Sequence, residues 1–276
     1  MILYHYTDFN ALNGIVGNAE LRLNNILNMN DTSEMRLFVN GLRDQVLLNL
    51  KSNGLDNQYN LARDFFRSEL AEEFHYSAYA ACFSEYRDDA AQWERYAKGG
   101  QGVCIAFHQD LLAQIVLSEP SISLKKVFYR DTVKGHELID LFTKEMSDIS
   151  SFDGDANSLH ALMNDAWISS AAFKHPSFTS ENEVRLIYTP FSAEEAMVKP
   201  KYHIAWDRIK KYYPLDLETL CCNSGIKLTD VIDEIIIGPS SPQSLPILQD
   251  YFIDNNQKKL ASRVSLSKCP LRKPTT

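Results

Sequence analysis

Met1-Ile2-Leu3-Tyr4-His5-Tyr6-Thr7 opens the chain and places a histidine on a short apolar segment. Leu3, His5 and Thr7 alternate with Ile2, Tyr4 and Tyr6, and this period of two is typical of a strand, whose successive side chains face opposite ways. Asp8 follows with a side-chain oxygen suited to a helix N-cap, and apolar residues continue from Leu12 to Val16 at helical spacing. The alternating segment 20–23 then predicts a second strand. The N-terminal region is therefore expected to fold as strand, helix and strand.

Composition excludes several classes of protein. The 276 residues carry a net charge of −8 and are 45% apolar, which is typical of a globular chain and not of a strongly electrostatic nucleic-acid binder. No run approaches the roughly 20 apolar residues that a membrane helix needs, and no basic segment precedes an apolar stretch at the N-terminus. We therefore expect a cytoplasmic protein without a membrane partner. The five cysteines form no C-x-x-C pair, so neither a disulfide framework nor a metal site is expected.

The chain is expected to form one domain over residues 1–276, with helical insertions near 31–75 and 131–172. Asp31-Thr32-Ser33-Glu34 resembles a capping box, and apolar residues follow it at helical spacing. A second helix is predicted over 57–75, and two more are predicted within 131–172. The two helices within 31–75 are interpreted as packing elements.

Strands are predicted through the middle and at the end of the chain, over 79–85, 102–107, 183–188 and 235–237. Residues 126–130 and the alternating segment 260–266 are further candidates. Asp88-Asp89 predicts the start of a short helix, and Ser240-Ser241-Pro242 predicts the start of another. Strands interspersed with helices in this order indicate an α+β fold.

Three groups of residues could carry chemistry. His5 can donate a hydrogen bond from one ring nitrogen and accept at the other, and Thr7 adds a hydroxyl nearby. The second group has two alternative members, which remain open: Tyr96 on the short helix, or Ser84 at the end of the strand before that helix. Tyr96, with Trp93 three residues earlier, equally suits a core aromatic.

Ser180-Glu181-Asn182-Glu183-Val184-Arg185 is the third group. Residues two apart on a strand share a face, so Glu181 and Glu183 are expected to form a carboxylate pair, with Arg185 as a cation on the same face. The plainer interpretation is a solvated edge strand whose Glu/Arg pair contributes little. Lys174 precedes this strand and is a candidate contact for a substrate diphosphate.

The opening strand with its His-x-Thr, the short helix, the second strand and the later Glu-x-Glu resemble NAD-dependent ADP-ribosyltransferases of the His-Tyr-Glu type, including toxins that modify DNA. The wider order of motifs is also similar to a large bacterial family of unassigned function. The first resemblance implies a split mixed β-sheet with NAD, as substrate, in a cleft between its halves. It assigns Glu183 the catalytic role, Glu181 an auxiliary one, and His5 the anchoring of a ribose.

The same resemblance implies further NAD contacts, at Tyr6, Thr7, Ser84, Tyr96, Lys174 and Arg185. Its implied acceptor is a macromolecule, either nucleic acid or protein, and its implied setting is a bacterial toxin or anti-phage effector with a possible antitoxin. The alternatives are a non-catalytic module that senses a nucleotide and a protein-interaction module on the same fold. Fold alone does not decide between them.

Overall fold

The computed structural model describes residues 1–26, 34–71, 78–149, 157–190, 198–204 and 208–271. These residues form one large mixed β-sheet, a two-stranded sheet and helices packed against them. The predicted α+β class is confirmed. Within the described residues, no helix is both long and apolar enough to cross a membrane.

The described strands are β1 (Ile2–Thr7), β2 (Glu20–Asn25), β3 (Tyr79–Ser84), β4 (Val103–His108), β5 (Ile122–Lys126), β6 (Phe128–Tyr129), β7 (Phe173–Lys174), β8 (Glu183–Tyr188), β9 (Lys201–Ile204), β10 (Ile209–Asp216), β11 (Ile232–Ile237) and β12 (Val264–Leu266). The described α-helices are α1 (Phe9–Leu12), α2 (Glu34–Ser52), α3 (Asp56–Ala71), α4 (Ala90–Tyr96), α5 (Gln109–Val116), α6 (Glu137–Asp148), α7 (Asn157–Ala171), α8 (Leu217–Ser224), α9 (Leu228–Val231), α10 (Leu245–Asp254) and α11 (Lys258–Ala261). A π-helix spans Asn13–Gly17, and a 3₁₀ helix spans Pro176–Glu181.

Strand β3 pairs with three other strands of the large sheet, β1, β2 and β8. One of its edges pairs with β8 over its whole length, from Tyr79 opposite Tyr188 to Ser84 opposite Glu183, and β8 in turn pairs with β5. The remaining strands follow the order β12-β11-β4-β1-β3-β2-β10-β9. Only β11 and β12 are parallel among the described pairs of this sheet.

The other edge of β3 is shared by two strands that diverge. Strand β1 meets it at Tyr4 opposite Ser84, and β2 meets it at its far end, with Asn24 opposite Ala80. Between these contacts, residues 81–83 have no strand partner on this edge in the described part of the chain. The sheet therefore splits along the middle of β3.

Two large apolar clusters cover the two faces of the sheet. Leu3, Phe83 and Val184 belong to the first cluster, which packs under the segment from Phe9 to Val16 and under α5, α8 and α10. Ala80 and Ile187 belong to the second, under α2, α6 and α7. A smaller cluster around Tyr6, Trp93 and Cys104 joins α4 to β1 and β4.

Local contacts explain how β1 ends. The Asp8 side chain accepts a hydrogen bond from the Ala11 backbone N–H at 2.9 Å and so caps α1. Gly102 lies beside the end of β1, where a Cβ would stand 2.1 Å from the Thr7 carbonyl oxygen. Only glycine fits this close approach, which fixes where β4 begins to pair with β1.

Most of the predicted elements are confirmed, including β1, β2, β3, β4, β8 and β11 and the four longer helices α2, α3, α6 and α7. Residues 31–33 of the expected capping box and residues 72–75 of the second predicted helix lie outside the described residues. The helix predicted to begin near Ser240 is a wrong prediction. Helix α10 begins at Leu245 after the N-cap Ser244, with proline in its first turn.

The strand predicted over 126–130 is confirmed in part. Strand β5 ends at Lys126, and only the two-residue strand β6 follows. The segment 260–266 is part helix and part strand, because α11 continues to Ala261 before β12 begins at Val264.

Candidate active site

A cleft of about 1490 Å³ opens where β3 lacks a strand neighbour. Polar and charged side chains from both halves of the split sheet, from α4 and from the 3₁₀ helix line it, among them His5, Thr7, Asn10, Arg22, Asn24, Ser84, Arg95, Tyr96, Lys174, Glu181, Glu183 and Arg185. All the predicted site residues line this one cleft, Tyr6 included.

His5 lies half-buried in the split between β1 and β3. Its Nδ1 donates a hydrogen bond to the Cys82 carbonyl oxygen at 2.8 Å, and its ring packs against Phe83. Because a carbonyl can only accept, the proton sits on Nδ1 and Nε2 is the acceptor of the neutral ring. Loss of solvation lowers the pKa of His5, which favours that neutral form. Within the described residues, Nε2 has no hydrogen-bond partner.

Glu183 begins β8 directly opposite Ser84. Its buried carboxylate accepts hydrogen bonds from Arg185, from Nε at 2.9 Å and Nη2 at 2.7 Å. Its backbone N–H donates to the Tyr129 hydroxyl at 2.8 Å. The predicted placement of Glu183 and Arg185 on one face is therefore confirmed.

Glu181 is the most heavily contacted carboxylate of the cleft. Lys174 Nζ donates to its Oε2 at 2.5 Å, and Arg95 and the Tyr96 hydroxyl donate to its Oε1 at 2.9 Å each. Its carbonyl accepts from Ser84 Oγ and from the Gln92 side chain. Burial alone would raise the pKa of Glu181, but these donors outweigh it and hold the pKa below its usual value.

The prediction that Glu181 and Glu183 lie on one strand is wrong. Glu181 ends a 3₁₀ helix, and Asn182 takes a left-handed conformation with φ 42° before β8 begins. A buried cation joins the two carboxylates instead, because Lys174 Nζ lies 3.7 Å from Glu183 Oε1 while it bonds Glu181. The Lys174 ammonium thus lines the cleft but binds protein carboxylates.

Two other predicted contacts are also used inside the protein. The Tyr6 hydroxyl donates to the Tyr86 carbonyl and accepts from the Asp89 N–H, and its ring meets Trp93 edge to face. Ser84 Oγ, besides donating to Glu181, accepts from the Tyr86 N–H. Both hydroxyls therefore fix the loop between β3 and α4.

His5 and Glu183 reach the cleft from different faces of the sheet. Residues directly opposite in antiparallel strands share a face, so Tyr4, Ser84 and Glu183 point to one side. His5, one residue on from Tyr4, follows the opposite alternation and packs with Phe83. Both side chains nevertheless line the cleft that opens at the split beside residues 81–83.

The charge of the cleft is opposite to that of the chain. Seven lysine or arginine side chains line it against four carboxylates, in a protein of net charge −8. Arg22, Asn24, Arg95 and Lys210 belong to this lining and were missed from the sequence. They come from separate elements, and only the spatial arrangement of the strands reveals that they meet.

Comparisons with known proteins extend over part of this site. Residues 92–186 match the model of a family described as a protein of unknown function (DUF2971). The matched segment contains Glu181, Glu183 and Arg185, whereas His5 lies outside it. No curated protein and no solved structure was found to match the chain. Among the described residues, no group of three or more His, Cys, Asp or Glu side chains could hold a metal ion.

Proposed function

We propose that the protein is an NAD-dependent ADP-ribosyltransferase, that its split sheet is of the ADP-ribosyltransferase type, and that NAD binds along the open edge of β3. The observation that carries the proposal is that His5 and Glu183 both line one cleft. One residue offers a neutral nitrogen acceptor, and the other offers a carboxylate held in fixed geometry. The carboxylate suits the positive charge that develops in NAD cleavage, and the resemblance assigns the histidine to the ribose on the adenosine side.

The shape and charge of the cleft suit a dinucleotide. Its volume of about 1490 Å³ exceeds that of ordinary small-molecule pockets, which are roughly 300–1,000 Å³. The excess of cationic side chains favours a diphosphate over a neutral ligand. Nε2 of His5 would accept a hydrogen bond from a hydroxyl of the adenosine-side ribose.

Cleavage breaks the bond between C1′ of the ribose and the nicotinamide nitrogen, and the bonding electrons leave with nicotinamide. Positive charge then develops on the ribose, where the Glu183 carboxylate would stabilise it. An acceptor nucleophile forms the new bond at C1′, and its proton passes to solvent water. In this proposal Glu181, held near Glu183 through Lys174, assists the acceptor.

Nicotinamide release from NAD tests the proposal. Glu183→Gln keeps the size of the side chain but removes its charge, so we expect turnover to fall about 100-fold or more. Glu94→Gln is the matched control, because Glu94 is exposed on α4 and does not line the cleft. Chromatography of the products separates transfer to an added acceptor from plain hydrolysis, which yields free ADP-ribose.

A second variant keeps the test valid if Glu183→Gln does not fold. His5→Asn retains an N–H donor for the Cys82 carbonyl but loses the Nε2 acceptor, so we expect weaker NAD binding in a folded protein. Circular dichroism checks the fold of each variant. The proposal fails if the wild-type protein releases no nicotinamide with nucleic acid, protein or water as acceptor.

A non-catalytic nucleotide-binding module is the second candidate. It is favoured by the engagement of both carboxylates, since Arg185 binds Glu183 and Lys174, Arg95 and Tyr96 bind Glu181. This candidate predicts that NAD raises the melting temperature while remaining chemically intact. Thermal unfolding followed by product analysis of the same sample distinguishes the two candidates.

A further inference from the structure

The hairpin formed by β9 and β10 concentrates positive charge beside the cleft. Its described residues, 198–204 and 208–216, contain one acid, Asp216 at the end of β10, and five basic side chains: Lys199, Lys201, Arg208, Lys210 and Lys211. The whole chain has net charge −8, so this concentration runs against the average composition. A local field of this kind attracts an anionic partner.

Strand register places part of this charge on the same face as Glu183. Tyr212 lies opposite Lys201 and opposite Asn24, and Asn24 lies opposite Ala80 of β3. Side chains two residues apart share a face, so Lys210 and His203 lie on the face of Tyr212, and Ser84 lies on the face of Ala80. Because Ser84 lies opposite Glu183, one face runs from the hairpin to the proposed catalytic carboxylate.

Arg22 extends the charge onto β2. It lies over the Tyr212 ring, 5.0 Å from the ring centroid, and lines the cleft with His203 and Lys210. Two carboxylates lie on this face of the β2–β10 pairing among the described residues, Glu20 and Asp216 opposite it. Glu20 accepts from Lys201 at 2.6 Å and lies 3.7 Å from Arg22. Nδ1 of His203 is buried without a hydrogen-bond partner in the described structure.

We propose that this face, defined by Arg22, Lys201, His203 and Lys210, binds single-stranded nucleic acid. Residues two apart on a strand are separated by about 6.6 Å, a spacing comparable to that of neighbouring phosphates on an extended strand. A single strand also exposes its bases to the cleft, whereas a duplex stacks them away. The binding face is argued from β2, β9 and β10 alone; that the bound strand is the acceptor rests on the proposed function.

Fluorescence anisotropy with labelled oligonucleotides, recorded without NAD, tests this binding. Single-stranded DNA and single-stranded RNA are separate arms, and binding of either supports the proposal. The double variant Lys201→Glu with Lys210→Glu should bind at least about tenfold more weakly, with a shallower salt dependence. Lys51→Glu with Lys144→Glu is the matched control, since both lysines are exposed on α2 and α6 and the change in net charge is identical.

Failure of this proposal is distinguishable from failure of the proposed reaction. Glu183→Gln should bind the oligonucleotide as the wild type does, because Glu183 lies outside the hairpin. The binding proposal is overturned if the wild-type protein binds neither strand, or if the control variant weakens binding as much as the hairpin variant. It is also overturned if inorganic polyphosphate of equal charge binds as tightly, since the face would then select charge alone.

Discussion

The two edges of β3 differ in how they are completed. The edge toward β8 is paired at six successive positions, from Tyr79 to Ser84. The opposite edge has one position paired with β1 and two with β2, and the His5 side chain bonds the Cys82 carbonyl between them. One edge is closed by backbone, the other in part by a side chain.

The two edges of β3 therefore contribute different features to the cleft. The paired edge fixes Glu183 and Arg185 on a buried strand, where the ion cluster around Lys174 is shielded from water. The open edge borders the cleft of about 1490 Å³, and His5, whose pKa is lowered by burial, lies at this border. The ion-paired carboxylates lie at the paired edge of β3. His5 Nε2, a hydrogen-bond acceptor without a partner among the described residues, lies at the open edge.

Removing the cation of the closed side should have the largest effect on stability. Lys174→Met leaves two buried carboxylates with one fewer donor, and breaking a buried ion pair costs about 3 kcal/mol or more. Lys126→Met is the control, because that lysine is 56% exposed in its pair with Glu85 and should cost under about 1 kcal/mol. Urea denaturation measures both. Equal losses would show that the buried cluster contributes no more than a surface pair.

At the open edge, His5 should have a smaller effect on the free energy of unfolding, and this effect should depend on pH. The pKa of His5 is lowered by loss of solvation in the folded state, so the unfolded chain binds a proton first as the pH falls below about 6.5. Stability attributable to neutral His5 is therefore present above that pH and is lost below it.

Comparison with His5→Asn isolates this effect. The wild type should lose more stability than the variant between pH 7.5 and 5, by at most about 1.4 kcal/mol per pH unit. His136 and His203, whose pKa values are also lowered by burial, remain in both proteins. Parallel stability curves for the two proteins would contradict the assignment of a desolvated, neutral His5.

Sequence patterns predicted the elements whose side chains alternate or are continuously apolar. Strands β1, β4 and β8 have this property, and burial explains it. The β9–β10 hairpin was missed because it is rich in lysine and contains Pro214, a residue that argues against a central strand. Pro214 is tolerated because β10 pairs there with β2 and has already passed the stretch paired with β9.

The site was predicted in part for the same reason. His5, Ser84 and Glu183 lie on strands that the sequence predicts. Which of these strands pair, and in which register, is set by the tertiary fold and could not be predicted from the sequence pattern. The position of Glu181 was wrong because strand alternation was extended through Asn182, whose left-handed backbone ends the 3₁₀ helix. Arg95 was missed because its contact with Glu181 spans 86 positions of sequence.

A crystal structure of the wild-type protein with a carba-NAD, whose ring oxygen is replaced by carbon so that the glycosidic bond survives, decides whether NAD binds at the split in the sheet. We expect the dinucleotide along residues 81–83, with one ribose hydroxyl about 3 Å from His5 Nε2 and the nicotinamide ribose against Glu183. Density for the dinucleotide outside this cleft, or an empty cleft at saturating ligand, would contradict it.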